Sequence, residues 1–375
     1  MRALYVHAGN LYGGIESTAA TIARYSHLCS ELEIHFAICF EGRLSRELRE
    51  AGATLSLLGE VRIRHPHTVR RARRAMKRLL QEKRFDAVLI QSSWGQVLFG
   101  PVIKAARVPL VYWLHEPLQG KHWLERWARR TKPDLALCNS KFTASSVHKI
   151  YPGVRVSILY NPVRSHDAHL SEEERAAVRA EFATPEDVVV ILQVSRLEEW
   201  KGHAAHLRAL SLLKDIPNWV CWQVGGAQRP HEIKYQERLV RLASELGIAE
   251  RVRFLGERAD VQRLMAAANI HCQPNSSPEP FGNVFVEALS ARLPVITTAT
   301  GGAVEIVNNS CGILVQPGDV QDLATSLREL IQDPTLRARL GAEGPERARE
   351  LCDPETQLGN LSGILSTAFR PRALA

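Results

Sequence analysis

The sequence predicts an α/β protein built from two doubly wound, parallel-sheet domains. Short apolar runs rich in β-branched residues alternate with amphipathic segments along most of the 375 residues. Runs that are hydrophobic on both faces and separated by helices are typical of parallel sheets covered by helices on both sides. The alternation stops over residues 163–187 and starts again at Val188, which indicates two separate sheets joined by a connection.

The first domain, residues 1–162, contains seven apolar runs of strand length. The predicted strands are Arg2–His7, Glu33–Phe40, Thr54–Leu58, Asp86–Gln91, Leu110–Leu114, Leu135–Cys138 and Val156–Leu159. Helical patterns between them cover Ser17–Leu28, Pro66–Arg84 and Lys141–Ile150.

The second domain, residues 188–352, repeats the alternation with six runs. The predicted strands are Val188–Val194, Trp219–Gly225, Val252–Leu255, Ile270–Gln273, Val295–Thr297 and Gly312–Val315. Three helical segments close the chain, namely Val320–Gln332, Pro334–Leu351 and Pro354–Phe369. In open α/β sheets, ligands bind outside the carboxyl ends of the strands, so the loops that follow these strands are the places to search for chemistry.

Composition excludes several classes of protein. The chain is 45% hydrophobic and 23% charged, which is typical of a soluble globular protein. No apolar run is long enough to span a membrane, and the first strand leads directly into a glycine loop instead of resembling a signal peptide. The seven cysteines include no Cys-x-x-Cys pair, which favours a reducing cytoplasm and argues against a zinc site.

Charge is distributed unevenly between the two halves. Residues 1–160 hold 25 Lys and Arg against 12 Asp and Glu, whereas the remainder holds 23 against 28. The basic first half is expected to meet an anionic partner, and nucleic acid, anionic lipid and a phosphorylated acceptor are all consistent with charge alone. Nucleic acid is disfavoured because no recognition fold or stacking motif accompanies the charge.

The first candidate site is the loop Gly9–Glu16, which follows the first strand and opens a helix. Gly13 and Gly14 allow close backbone approach, and the N–H groups of a helix N-terminus attract anions. The loop matches neither a P-loop nor Gly-x-Gly-x-x-Gly. A simple tight turn between strand and helix explains the glycines equally well.

The second candidate site follows the first strand of domain two, at Ser195-Arg196-Leu197 with Lys201-Gly202. Arg196 and Lys201 lie five residues apart across a turn, so both cations could face one anion such as a diphosphate. Two solvated surface cations are the alternative interpretation.

The third candidate site is the segment Ser277–Ala288, which contains Glu279 and Glu287. Pro278 and Pro280 hold Glu279 in an extended loop, and a helix is expected to begin near Gly282. The N–H groups of Phe281, Gly282 and Asn283 could then bind phosphate or sugar oxygens, although Glu279 could also be a plain helix-start acid. Glu287 follows an apolar run, and a buried carboxylate needs a partner such as a ligand hydroxyl.

With these motifs in order, the chain resembles a retaining glycosyltransferase of the family 4 type, also called glycosyl transferases group 1, with the GT-B fold. That fold places two Rossmann-like domains around a central cleft. The motifs that carry the resemblance are Gly13–Glu16, Arg196-Leu197 with Lys201-Gly202, Val224-Gly225-Gly226, Phe254-Leu255-Gly256, Glu279 with Glu287, Leu293-Pro294-Val295, and Gly301-Gly302 with Glu305.

The resemblance implies a role for each matching residue. Arg196 and Lys201 would hold the donor diphosphate and stabilise the departing nucleoside diphosphate. Glu279 and the backbone of Phe281, Gly282, Asn283 and Val284 would bind the transferred sugar, and Glu287 would accept the ribose hydroxyls. Gly13 and Gly14 would lie against the phosphates, while Gly225, Gly256, Glu257 and Arg258 would complete the donor site, with the backbone at 257–258 contacting the base.

The resemblance also implies that the two domains bind different substrates. Residues 1–162 would bind the acceptor, residues 188–352 would bind the nucleotide sugar, and the helix within 353–375 would cross back to the first domain. His115 ends the fifth strand, where the family often places a histidine that contacts the donor sugar or the reacting centre. The resemblance further implies that the anomeric configuration is retained, and no Asp-x-Asp motif calls for a metal, so the expected site is metal-independent with no cofactor beyond the UDP- or GDP-sugar substrate.

Two basic stretches remain outside these motifs. Between Arg62 and Arg84, cations surround an apolar stripe of helical spacing that includes Ala72, Met76 and Leu79. A second stretch combines Trp123 and Trp127 with Arg126, Arg129 and Arg130, and could lie at an interface or near the acceptor. The basic face of the first stretch could attach the protein to an anionic membrane surface, and a solvated helix face is the alternative.

The sequence therefore predicts a hexosyltransferase that moves a sugar from a nucleotide donor to a lipid-linked, lipopolysaccharide or cell-surface polysaccharide acceptor. It is expected in the cytoplasm, with peripheral attachment to the inner face of the membrane. The alternatives are a soluble transferase acting on a small metabolite or glucan, and a nucleotide-sugar-binding pseudoenzyme.

Overall fold

The computed structural model describes residues 1–164 and 170–369. Within these residues the chain forms two compact units. Unit 1 contains residues 1–164 together with those from Cys352 onward, and unit 2 contains the residues between.

Unit 1 is built on one sheet in which all seven described strands are parallel. The strands are β1 (Arg2–His7), β2 (Glu33–Ile38), β3 (Thr54–Leu57), β4 (Ala87–Ile90), β5 (Leu110–Leu114), β6 (Leu135–Cys138) and β7 (Arg155–Ile158). The helices that connect them are α1 (Gly14–Tyr25), α2 (Arg43–Glu50), α3 (Pro66–Glu82), α4 (Ser93–Ala105), α5 (Trp123–Ala128) and α6 (Lys141–Ala144). The sheet order is β3-β2-β1-β4-β5-β6-β7.

Unit 2 has a six-stranded parallel sheet of order β10-β9-β8-β11-β12-β13. The strands are β8 (Val189–Val194), β9 (Trp219–Val224), β10 (Val252–Gly256), β11 (Ile270–Gln273), β12 (Val295–Thr298) and β13 (Gly312–Val315). The helices from here to the end of the described chain are α7 (Glu172–Ala180), α8 (His203–Ser211), α9 (Pro230–Glu245), α10 (Val261–Ala267), α11 (Asn283–Ser290), α12 (Ala303–Ile306), α13 (Val320–Gln332), α14 (Pro334–Cys352) and α15 (Pro354–Phe369). The predicted class, two doubly wound Rossmann-like sheets, is confirmed.

The strand pattern explains both cores. Because successive side chains of a strand point to opposite faces, Ala3 and Tyr5 of β1 pack into one cluster while Leu4 and Val6 pack into another. Helices α1 and α15 cover the first cluster, and α3 and α4 cover the second. In unit 2 a large cluster joins one face of β8 to α8 and α13. The central strands of each sheet are thus buried on both faces, as their apolar sequences require, whereas the edge strands β3 and β7 are partly exposed.

Two predicted helices differ from the structure by three or more residues at an end. Helix α1 begins at Gly14, earlier than the predicted Ser17, because the Glu16 carboxylate accepts the Gly13 N–H at 2.8 Å and caps the first turn. The predicted helix Lys141–Ile150 ends at Ala144, and a separate 3₁₀ turn covers Val147–Lys149. Short 3₁₀ turns commonly continue the ends of helices.

The order of strands reverses direction at one point in each sheet. In unit 1 the reversal lies between β1 and β4, and in unit 2 between β8 and β11. Neighbouring loops leave in opposite directions at such a point, which opens a crevice at the carboxyl ends of the two strands. Each unit therefore provides one favoured binding position, and the candidate residues can be located relative to it.

Residues 170–187, which the sequence analysis treats as part of the connection, belong to unit 2. The buried Arg179 of α7 joins this segment to the sheet. Its guanidinium donates to the carbonyl oxygens of Glu186 at 2.7 Å, Val188 at 3.1 Å and Ala267 at 3.1 Å, and to Asn269 Oδ1 at 2.7 Å. Burial lowers the pKa of Arg179 to about 10, which still leaves it charged at neutral pH.

We expect Arg179→Met to lower the free energy of unfolding by about 3 kcal/mol or more, because several buried oxygens lose their donor. The midpoint of urea unfolding measures this change. Arg263→Met is the matched control, since Arg263 is 39% exposed and pairs with Glu181 at 2.6 Å on the surface. That variant should change stability by less than about 1 kcal/mol. Equal losses in the two variants would contradict the structural role given to Arg179.

Candidate active site

An ion pair between Lys201 and Glu279 lies at the strand-order reversal of unit 2. Lys201 follows β8 and Glu279 follows β11, the two strands that flank this point. The Lys201 Nζ and Glu279 Oε2 are 2.8 Å apart, and their side chains are only 12% and 9% exposed. The sequence analysis considered an anion shared by Lys201 and Arg196, and the structure adds a protein carboxylate next to Lys201.

The backbone around Lys201 is fixed by the neighbouring strand. A 3₁₀ turn over Glu199–Lys201 ends at Gly202, whose φ is +79°. A Cβ at Gly202 would lie 1.8 Å from the carbonyl oxygen of Pro274, just beyond β11. Only glycine combines this left-handed conformation with so close an approach, so Gly202 brings the two strand ends into contact.

Glu279 is held from two sides. Its carbonyl oxygen accepts the Gly302 N–H at 2.7 Å, and it forms an isolated parallel bridge with Gly301 after β12. Gly301 has a φ of +68°, and a Cβ there would lie 2.3 Å from the Glu279 carbonyl oxygen. The extended conformation expected from Pro278 and Pro280 is thus fixed against the next strand of the sheet.

Asn275 orients the Glu279 carboxylate. The Asn275 Nδ2 donates to Glu279 Oε2 at 2.8 Å, and the Asn275 Oδ1 accepts from Gln273 Nε2 at 3.0 Å. Oε2 therefore receives both Lys201 and Asn275, while Oε1 accepts no hydrogen bond from the described residues. The arrangement leaves one fixed carboxylate oxygen to accept a ligand hydroxyl.

Trp200 and Arg196 complete the cationic side of the site. The Lys201 ammonium lies 3.9 Å from the centre of the Trp200 ring, a cation–π contact. Arg196 is 39% exposed and contacts Glu198 Oε2 at 3.2 Å, and the same oxygen accepts the Trp200 indole N–H at 3.1 Å. Because its carboxylate partner is partly exposed, the Arg196 guanidinium can exchange that contact for a ligand phosphate at modest cost.

Glu287 lies in the second turn of α11, after the Gly282 N-cap. Burial raises the pKa of its carboxyl from the ordinary 4.5 to about 7. A carboxyl in this position is half ionised near neutral pH, and a hydroxyl ligand that donates to it would stabilise the ionised form. Strongly raised values of this kind are typical of binding and catalytic groups.

The other candidates from this segment lie just before α11 and in its first turn. Phe281 is buried, whereas Gly282, Asn283 and Val284 are partly exposed. The helix begins at Asn283, as expected from the glycine. These residues belong to the same loop and helix as Glu279, so the candidate sugar-binding groups form one continuous segment.

The ends of β9 and β10 meet at the glycines picked out by sequence. The Gly225 N–H donates to the Gly256 carbonyl oxygen at 2.9 Å. Beyond them Glu257 is exposed, and the Arg258 guanidinium donates to both oxygens of Asp260, at 2.8 and 2.7 Å. The Arg258 side chain is thus occupied by a carboxylate of the protein itself.

Unit 1 has its own cavity at the strand-order reversal, with a volume of about 420 Å³. His115, at the end of β5, lines it and is buried. Its Nε2 lies 2.7 Å from Gln91 Oε1, and its ring stacks on Trp113 with centres 5.4 Å apart. Burial lowers the pKa of His115 to about 3, so the ring is neutral at physiological pH.

In the glycine loop of unit 1, the Glu16 side chain binds the backbone of the loop itself. Glu16 accepts the Gly13 N–H through Oε2 and contacts the His7 ring at 2.9 Å through Oε1. Burial raises the pKa of Glu16, but His7 and the backbone N–H groups of Glu16 and Gly13 together outweigh it, so the pKa lies below its ordinary value. The Gly13 N–H therefore serves the helix cap in this structure, and Gly14 forms the first residue of α1.

Three residues that matter to this geometry, Asn275, Trp200 and Gln91, are absent from the sequence-based set. Asn275 and Gln91 lie one or two residues beyond the ends of β11 and β4. The rule that ligands meet the carboxyl ends of strands could have identified both. Trp200 precedes Lys201 directly, and nothing in its sequence context predicts the cation–π contact.

Two family models match the chain and together cover most of it. Residues 12–166 match the model described as Glycosyltransferase Family 4, and residues 174–347 match the model described as Glycosyl transferases group 1.

Curated relatives show the same similarity. The lipopolysaccharide core biosynthesis glycosyltransferase LpsD of Rhizobium meliloti is 36% identical over 46% of this chain and 47% of its own length. The match to this relative, like several others, spans about half of the relative's length. The GDP-mannose-dependent alpha-(1-6)-phosphatidylinositol monomannoside mannosyltransferase of Mycolicibacterium smegmatis is 27% identical over 81% of this chain and 83% of its own length.

Among solved structures, Anabaena HepE in complex with UDP is similar over almost the full length. It covers 98% of this chain and 100% of its own, with 25% identity and a TM-score of 0.83. The order of motifs, the two parallel sheets and these matches agree. The chain belongs to the family 4 glycosyltransferases, also called glycosyl transferases group 1, and has the GT-B fold.

Proposed function

We propose that this chain transfers a sugar from a UDP- or GDP-linked donor to a lipid-linked, lipopolysaccharide or cell-surface polysaccharide acceptor. The observation that carries the proposal is the Lys201–Glu279 pair at the strand-order reversal of unit 2, with one carboxylate oxygen left for a hydroxyl. A cation and a carboxylate fixed side by side suit a substrate that has a diphosphate next to a sugar.

The donor is held by unit 2 in this proposal. Lys201 and Arg196 bind the diphosphate, and Arg196 releases Glu198 to do so. Glu279 Oε1 accepts a sugar hydroxyl, while the segment Phe281–Val284 contributes backbone groups. Glu287 accepts the ribose hydroxyls, and Gly225, Gly256, Glu257 and Arg258 contact the base through their backbone. UDP in the related Anabaena HepE supports a nucleotide of this class.

The proposed mechanism depends on stabilising the negative charge that develops on the leaving phosphate. As the bond between sugar and diphosphate breaks, negative charge grows on the leaving phosphate, and fixed cations stabilise it without rearranging. Arg196 and Lys201 supply those cations, so the reaction needs no metal. In unit 1 the ring of His115 is neutral at physiological pH and can accept or donate a hydrogen bond to a ligand in the cavity that it lines. The anomeric configuration is retained, with the leaving phosphate assisting deprotonation of the acceptor.

The acceptor class rests on the relatives. LpsD acts in lipopolysaccharide core biosynthesis, and the Mycolicibacterium smegmatis relative acts on a phosphatidylinositol monomannoside. Both names refer to saccharides that are attached to lipid. Within residues 1–164 and 170–369, no helix is long and apolar enough to cross a bilayer. In this proposal the protein acts in the cytoplasm at the inner surface of the membrane, to which the basic face of α3 is attracted.

Donor binding is tested first by thermal unfolding with UDP, GDP, ADP and their sugar conjugates, with and without Mg²⁺. A ligand at one hundred times its dissociation constant adds about 2.7 kcal/mol of stability. We expect stabilisation by a uridine or guanosine nucleotide that is independent of Mg²⁺. An absence of stabilisation by every nucleotide, or stabilisation that requires Mg²⁺, would contradict the proposed donor site.

We expect Lys201→Ala to lower kcat about 100- to 1,000-fold, as removal of one fixed charge-stabilising donor does in other enzymes. The measurement is transfer of radiolabelled sugar to a lipopolysaccharide-core or lipid-linked saccharide. Arg328→Ala is the matched control, because it removes a surface arginine that pairs with Asp215 at 2.6 Å in the same unit. Full activity in Lys201→Ala, or equal losses in the two variants, would overturn the role of Lys201.

The raised pKa of Glu287 predicts a pH-dependent affinity for nucleotide. Ribose hydroxyls donate to the ionised carboxylate, so affinity should rise from about pH 6 to about pH 8 with a midpoint near 7. Glu287→Gln should bind nucleotide more weakly and without this pH dependence. Calorimetric titration at several pH values measures both effects.

The same variant has an opposite effect on stability. Because the folded-state pKa of Glu287 lies above its unfolded value, stability falls as pH rises from about 4.5 to about 7, and the loss persists above that range. Glu287→Gln removes this cost, so it should be more stable than the parent protein at about pH 8. A variant that is both less stable there and unchanged in nucleotide affinity would show that Glu287 serves packing instead.

A further inference from the structure

Helix α5 carries an exposed pair of tryptophans. Trp123 is 53% exposed and Trp127 is 40% exposed, and their rings are 6.2 Å apart with an angle of 39° between them. They lie one helical turn apart, so both project from the same side of α5. Large aromatic side chains are usually buried, and an exposed pair is therefore informative.

Positive charge surrounds this pair. The exposed cations in and around α5 are Lys121, Arg126, Arg129, Arg130 and Lys132. None of them forms an ion pair with a carboxylate of the described residues. The one acid in the α5 sequence, Glu125, accepts the backbone N–H groups of Gln119 and Gly120, at 3.1 and 2.7 Å. Its charge is therefore directed at the preceding loop.

The opposite side of α5 lines the cavity of unit 1. Leu124 and Glu125 contribute to its wall together with His115. Gln96 of α4 donates to the carbonyl oxygen of Thr131 at 2.7 Å, which fixes the segment after α5 to the helix beside the cavity. One short helix thus joins the exposed aromatic surface to the cavity that contains His115.

The positive surface extends beyond α5. Arg73 of α3 donates to the carbonyl oxygens of Leu98 and Val97 in α4, at 2.8 and 3.0 Å, so α3 packs on α4 as α4 packs on α5. The outward side of α3 presents further exposed cations, namely Arg70, Arg71, Arg74, Lys77 and Arg78. The exposed basic residues are thus spread over two helices, α3 and α5, a distribution of charge that suits an extended anionic surface such as a bilayer.

We propose that α5 is an interfacial anchor that inserts Trp123 and Trp127 into the headgroup region of an anionic lipid bilayer. Tryptophan favours this region because its ring is apolar while its N–H remains hydrated, and nearby arginines and lysines attract anionic lipid. The anchor brings the cavity beside α5 to the depth of lipid headgroups. This inference rests on the proposed transfer to a membrane-bound acceptor, and it assigns the contact to α5, with α3 adding only long-range attraction.

The test compares binding of the full-length protein to vesicles of phosphatidylcholine with phosphatidylglycerol and to vesicles of phosphatidylcholine alone. We expect Trp123→Ala/Trp127→Ala to reduce partitioning onto the anionic vesicles at least about tenfold, equivalent to about 1.4 kcal/mol. The control is Ile233→Ala/Val240→Ala, which removes side chains that are 51% and 44% exposed on α9 of unit 2. The control should bind as the parent protein does, and equal partitioning of all three proteins would overturn the proposal.

A second measurement needs no variant. Bromine atoms placed high on the acyl chains quench tryptophan fluorescence only at short range, so bound parent protein should be quenched by such lipids. Vesicle binding without quenching would mean that charge alone holds the protein, and would overturn the insertion of α5. A third outcome is also possible: the parent protein does not bind vesicles, and the tryptophan variant no longer transfers sugar to a lipid-free saccharide. That result would show that Trp123 and Trp127 bind the saccharide acceptor, and it would overturn the anchor.

Failure of the anchor and failure of the proposed transferase activity would give different results. Nucleotide stabilisation and transfer to a detached saccharide involve unit 2 and the cavity, and neither should change in the tryptophan variant. Tryptophan-dependent vesicle binding by a protein that binds no nucleotide would support the anchor and refute the donor site. If the protein binds nucleotide but the tryptophan variant binds vesicles as well as the parent does, the donor site is supported and the anchor is refuted.

Discussion

The arrangement of unit 2 depends on keeping two buried charges together. Lys201 and Glu279 are 78 residues apart in the chain, and their side chains are about nine-tenths buried. Removing one partner from such a pair typically costs about 3–5 kcal/mol, because the other charge is left without compensation. The ends of β8 and β11 must therefore meet closely, and Gly202, Gly301 and Asn275 are the residues that allow or enforce that approach.

The candidate site also contains charged groups whose surroundings favour binding of a ligand more than stability of the free protein. The carboxyl of Glu287 is buried enough to raise its pKa to about 7, which disfavours its ionised form in the free protein. Arg196 is held by a partly exposed carboxylate that a phosphate can replace. Unit 1 shows a similar contrast, since burial keeps His115 neutral beside a cavity of about 420 Å³. The candidate binding groups in both units are thus held in place by the protein itself.

Much of this could be predicted from the sequence, because strand patterns and strand-end motifs are local signals. The strands of both sheets, the start of α11 and the importance of Lys201 and Glu279 follow from such signals. The contacts that connect distant segments do not. The role of Asn275 depends on a carboxylate brought to it by the loop after β11, and the bonds of Arg179 join α7 to two strand starts. The pairing of Gly13 with Glu16 shows that a glycine motif can serve its own helix before it serves a ligand.

The most direct measurement is a double-mutant cycle on the ion pair, with the free energy of unfolding determined for Lys201→Met, Glu279→Gln and the double variant. The account predicts that each single change lowers stability by about 3–5 kcal/mol. The double change should then cost clearly less than the sum of the two single changes, because each single variant leaves an uncompensated charge that the double variant lacks. Additive losses would contradict it, since they would show that the two side chains are stabilised by their surroundings and not by each other.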